Sequence, residues 1–98
     1  ADAVLTDCRI SEPVSIAAGC VLEHCSVGPA VSLGRNVTIS GAAVRNSIVM
    51  EGARIAGPVA IVDSIIGARS SLSAAEAGSA ARLFIGDDSS IELVRPGG

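Results

Sequence analysis

Thirteen aliphatic residues recur at steps of five or six along the first three quarters of the chain. They run Val4, Ile10, Ile16, Leu22, Val27, Leu33, Ile39, Val44, Val49, Ile55, Ile61, Ile66 and Leu72. An amphipathic helix needs apolar residues three and four apart, and this ladder does not supply them. Two residues before the ladder positions stand small or β-branched side chains: Cys8, Val14, Cys20, Cys25, Val31, Val37, Ala42, Ser47, Ala53, Val59, Ser64 and Ser70. Residues i and i−2 of a strand share a face, so each short repeat sends one large and one small side chain inward. The residue between them points out and is usually polar or small, as at Arg9, Ser15, Ser26, Ser32, Thr38, Arg54 and Ser71.

Steps of six, six and five sum to seventeen, which makes Ile10, Val27, Val44 and Ile61 one vertical stack. This is the pattern of a hexapeptide-repeat parallel β-helix with three short faces per coil. Glycines that follow ladder residues (Gly28, Gly34, Gly67, Gly86) or fall between them (Gly19, Gly41, Gly52) suit corners that need positive φ or close approach of two backbones. No coil stands alone: about three buried aliphatics at ~1.5–3 kcal/mol each do not offset ordering of a whole coil at ~1–2 kcal/mol per residue. Stacking does so by burying both sides of every coil.

On this spacing residues 1–72 form the coils. Asp2 stands where an inward small residue belongs, so the first strand is expected to be incomplete. The segment SAAEAGSAA (73–81) carries no ladder residue and reads as a loop or short irregular helix. Strand character returns at RLFI (82–85) and IELV (91–94), joined by a GDDSS turn, and these are expected to form an off-register cap over the last coil. The tail RPGG (95–98) reads as disordered.

A core built with one aromatic residue, Phe84, is aliphatic throughout, as a thin solenoid requires. The seven basic residues are scattered arginines and the net charge is −3, which argues against a nucleic-acid or anionic-membrane surface. Charges at Glu51, Arg54 and Asp63 interrupt the longest apolar stretch, short of the ~18 residues a spanning helix needs. The start at alanine, with no basic-then-apolar opening, points to an excised or processed piece without a signal peptide. All three cysteines occupy the small inward slot at spacings that fit no zinc pattern, so they read as packing groups in a reduced, cytoplasmic setting.

Candidate chemistry is sparse. His24 is the only histidine, three residues before Val27 and hence at a corner; a hexapeptide acyltransferase would use it as a base, but the sequence places no second group to orient it. Asp87 and Asp88 lie in a glycine-led turn and lack the further oxygen ligands of a hard-cation site. No phosphate-binding glycine loop occurs, so neither catalytic, cofactor nor metal positions are assigned. The outward slot is more informative: Ile48 and Ile65 replace the serines of earlier coils, and Met50 and Val62 also point out. If the faces bring these four together they form an interface patch, unless segment 73–94 covers them.

The segments SIVMEGARI (47–55), IVDSIIGARSSL (61–72) and RLFIGDDSSIEL (82–93) resemble the carboxy-terminal domain of long-form glucose-1-phosphate thymidylyltransferases and related sugar nucleotidyltransferases. The resemblance covers essentially the whole chain and implies a left-handed β-helix, the opposite of the general crossover preference. It also implies a non-catalytic assembly or regulatory module. The nucleotide loop and the acidic ligands for Mg2+ would belong to a separate amino-terminal catalytic domain, with that domain and further subunits as partners. Two other readings compete. One is a free-standing acyltransferase with His24 in an intersubunit cleft; the other is a structural β-helix that grows end to end, against which the off-register cap argues.

Overall fold

The computed structural model describes residues 3–74 and 84–93. Every described strand pairs in parallel, no described residue is helical, and the chain winds as a β-solenoid of about five turns. The first coil consists of β1 (Val4–Thr6), β2 (Arg9–Ile10) and β3 (Val14–Ile16), and the second of β4 (Val21–Glu23), β5 (Ser26–Val27) and β6 (Val31–Leu33). The third comprises β7 (Thr38–Ser40), β8 (Ala43–Arg45) and β9 (Ile48–Val49), and the fourth β10 (Arg54–Ala56), β11 (Ala60–Val62) and β12 (Ile65–Ile66). After β13 (Ser71–Ala74), the described chain resumes at β14 (Phe84–Ile85) and ends with β15 (Ser90–Leu93).

Three sheets result. The first has the order β1-β4-β7-β10-β13-β15, the second β11-β8-β5-β2, and the third β14-β12-β9-β6-β3. The stack Ile10, Val27, Val44, Ile61 is the central row of the second sheet, in register as the spacing requires. From the second coil to the fourth, inward ladder residues are shut off from solvent, with Leu22, Ile39, Ile55, Ile61 and Ile66 fully buried, whereas Leu5 and Ile10 of the first coil stay open. The small slots from Cys20 to Ser70 are buried with them, and the hydroxyls among these find carbonyls. Ser47 Oγ donates to the Arg45 carbonyl at 2.8 Å, Ser64 Oγ to Val62 at 2.7 Å and Ser70 Oγ to Gly86 at 2.8 Å. A buried serine therefore fills a small slot without an orphaned polar atom.

Corners stack as regularly as strands. Asp7, His24, Gly41 and Gly57 form one column, Ala30, Asn46 and Asp63 a second, and Gly19, Asn36, Gly52, Arg69 and Asp88 a third, all with positive φ. The N–H at such a corner reaches back one coil, as when His24 donates to the Thr6 carbonyl at 2.8 Å, Gly52 to Arg35 at 2.8 Å and Asp88 to Ala68 at 2.8 Å. Glycine is thus one solution among several, because Asn, Asp and His tolerate the left-handed region better than most side chains. At Gly34 the constraint is different: a Cβ would stand 2.6 Å from the Glu51 backbone nitrogen, so coil spacing itself requires glycine.

Three expectations are corrected. The first ladder residue is Leu5 rather than Val4, since Leu5 pairs with Leu22 and the inward small slot falls at Ala3 rather than Asp2. Counting back seventeen from Leu22 gives that result; two adjacent aliphatics at the chain start hid it. Ser73 and Ala74 extend β13 instead of opening a loop. The terminal strands are out of step in sequence yet in register in space, with Ile66 opposite Ile85 and Leu72 opposite Ile91, each nineteen residues on. Residues 75–83 and the RPGG tail lie outside the described residues.

Candidate functional site

The third sheet carries a row of outward side chains that changes character half-way along. Ser15 pairs with Ser32, Ser32 with Ile48, Ile48 with Ile65 and Ile65 with Phe84, so these five form one file across five coils. Its last three members are apolar and open to solvent, Ile48 at 48%, Ile65 at 42% and Phe84 at 78%. A shallow groove of about 700 Å³ follows the file, lined by Pro13 and Ser32 at one end, Phe84 at the other, and the Asn46 and Asp63 corner along one side.

The four sequence candidates separate. Ile48 and Ile65 are direct cross-strand neighbours, and Met50, exposed, follows β9 at the end of the same strand. Val62 lies elsewhere: it is half-buried on the second sheet opposite Arg45, beyond the corner that Asp63 turns with φ +48°. Phe84 was not among them, because the nineteen-residue step conceals its place in the file. Counting from Ile65 with the ladder partner Ile85 in hand would have found it. Strands β14 and β15 lengthen the file and the sheet beside it instead of lying across the patch.

Polar side chains meet between coils at the corners. His24 Nδ1 lies 3.4 Å from Asp7 Oδ2, two well-exposed side chains seventeen residues apart in one corner column. Asp7 is therefore the group that the fold brings beside His24, and the coil period is the signal for it. Asp87 Oδ1 accepts from the Ala68 N–H at 2.8 Å, while Asp88 takes a two-pronged contact from Arg69 at 2.7 and 3.0 Å. That guanidinium holds the Asp88 carboxyl below its ordinary value, chiefly through the hydrogen bond. Both carboxylates thus fasten the GDDSS turn to the coil before it. Among the described residues, no group of three or more His, Cys, Asp or Glu side chains is placed to hold a metal ion. No helix among the described residues is long and apolar enough to cross a membrane.

Residues 4–91, all but the first three and last seven, match the family described as the GMPPB C-terminal domain. The chain belongs to that family. No curated protein matches it. As a GMPPB C-terminal domain it is a sugar nucleotidyltransferase C-terminal domain, the class that the resemblance in residues 47–93 implied. The match runs from the first coil to β15, so the in-register terminal strands and the apolar file lie within the GMPPB C-terminal domain.

Proposed function

We propose that this domain is the non-catalytic part of a sugar-1-phosphate nucleotidyltransferase, and that it fixes subunits in position through the file Ile48, Ile65 and Phe84, with Met50 at its edge. The family match and the exposed apolar file together carry the reading. Contiguous outward aliphatics are costly to leave in water and mark contact surfaces. In the proposal the parent's catalytic domain joins a sugar 1-phosphate to a nucleoside triphosphate with Mg2+, releasing pyrophosphate. Glucose 1-phosphate with thymidine triphosphate is the first substrate pair to assay, on the resemblance in residues 61–72 and 82–93. The domain's own partners are that catalytic domain and a second subunit, in the cytoplasm.

The test is sedimentation velocity of the complete enzyme carrying Ile48→Ser and Ile65→Ser. The expected outcome is a smaller assembly from subunits that still melt cooperatively; an unchanged assembly would overturn the role given to this face. The contact between His24 and Asp7 favours one competing reading, an acyltransferase with a His base. Calorimetric titration with coenzyme A separates the two, since saturable binding lost in His24→Asn supports acyl transfer and no heat supports the assembly role.

A further inference from the structure

Cys8 and Cys25 occupy the same inward slot in consecutive coils, two residues before Ile10 and Val27, which pair in register on the second sheet. Their Sγ atoms stand 3.3 Å apart and both thiols are free. Neighbouring strands are about 4.8 Å apart, which lies inside the roughly 4.4–6.8 Å Cα separation that a disulfide spans. The next slots of the column are Ala42 and Val59, so no third thiol competes, and Cys20 lies on another face with its thiol donating to the Gly34 carbonyl at 3.1 Å. The two members differ in access. Cys25 is 5% exposed beneath the first coil, whereas Cys8 is half-buried.

We propose that Cys8 and Cys25 form a reversible redox site, in which a low-molecular-weight disulfide converts the two thiols into an intramolecular disulfide that ties the first coil to the second. The Cys8 thiolate, the more accessible, attacks one sulfur of the small disulfide. That S–S bond breaks, one small thiolate leaves, and Cys8 carries a mixed disulfide. Cys25 then gives up its proton to solvent and attacks Cys8 Sγ, breaking the mixed disulfide and releasing the second small thiolate. Two protein thiols are oxidised, one small disulfide is reduced to two thiols, and the two protons lost by the protein balance the two small thiolates.

In the resting state the Cys8 thiol is held by the Leu22 carbonyl at 3.0 Å and the Thr6 carbonyl at 3.2 Å. In the dithiol, burial and then the Cys8 thiol beside it push Cys25 up to about 12; in the mixed disulfide burial alone still holds it up, so closure is slow at neutral pH. Its rate rises roughly tenfold per pH unit with the thiolate fraction. While reduced, both thiols are packing groups, as their inward slots predict.

The experiment treats the full chain with oxidised glutathione between pH 7 and 9, with dithiothreitol as the reverse step, followed by intact mass, free-thiol titration and thermal melting. The expected product loses the mass of two hydrogen atoms, falls from three free thiols to one, and yields a peptide linking Cys8 to Cys25. It melts several degrees higher until dithiothreitol is added. Cys20→Ser should behave the same way. Cys25→Ala, which copies Ala42 in the next coil, should stop at the glutathione adduct on Cys8. Three unreacted thiols, a wild-type chain that stops at the adduct, or a disulfide between two chains would each overturn the proposal.

Discussion

Ile55 and Ile48 offer one chemical change inside and outside the coil, the first facing the core from the first sheet and the second facing solvent from the third. Ile55 is fully buried, stacked between Ile39 and Leu72, whereas Ile48 is 48% exposed on the outward file. Truncation to alanine removes three carbons, worth about 0.8 kcal/mol each on transfer, or ~2.4 kcal/mol for a side chain wholly removed from water. At Ile55 the coils above and below cannot close on the space, so a cavity term adds to this and the loss reaches about 3–4 kcal/mol. At Ile48, 48% exposed, about half of the transfer term is already forfeited to solvent and no cavity forms, so the loss is only ~1.2 kcal/mol. Domains of this size move by ~4–8 °C per kcal/mol, which puts the Ile55→Ala midpoint roughly 15 °C or more below the parent. Urea unfolding followed by far-ultraviolet circular dichroism measures both, with an unchanged slope showing that the coils still unfold as one unit. Equal losses for the two variants, or a larger loss at Ile48, would refute the inward and outward assignment of every strand in the repeat.

Gly34→Ala should cost ~1–3 kcal/mol, because the new Cβ meets the Glu51 backbone at 2.6 Å; Gly86→Ala, with nothing within 4 Å of its Cβ, should be close to neutral in the same urea assay. Asp88 contributes through a carboxyl whose value is lowered in the fold. Its stabilisation is present above the ordinary value of 3.8 and is lost as the pH falls through the folded value. Asp88→Asn should therefore melt slightly below wild type at pH 7 and level with it at pH 2, and raised salt should narrow the gap at pH 7.

The coil period made most of this fold readable, because an inward residue every five or six positions admits few other structures. What it missed shares one cause. Val4 masks Leu5 at the chain start, a nineteen-residue step hides the stacking of β14 on β12 and β15 on β13, and the same step hides Phe84 from the outward patch, all where the period begins or breaks. Glycine showed only part of the corners, since His24, Asn46 and Asp63 turn the chain as Gly41 does. The partners Asp7 and His24, or Arg69 and Asp88, are a coil apart and become visible only once the coil length is applied to surface residues too. Which face meets which partner is set by outward side chains that packing leaves unconstrained, so the period is silent about it.

The switch from Ser32 to Ile48 within a single file gives the rod a graduated scale. Each added or deleted coil slides every surface mark by one rise of about 4.8 Å without turning it to another face. Descendants that gain or lose whole coils would therefore keep the sticky stretch pointing in the same direction and change only its distance from the first coil. Length in such a domain is a dial with fixed clicks, and the apolar stretch is the needle it moves.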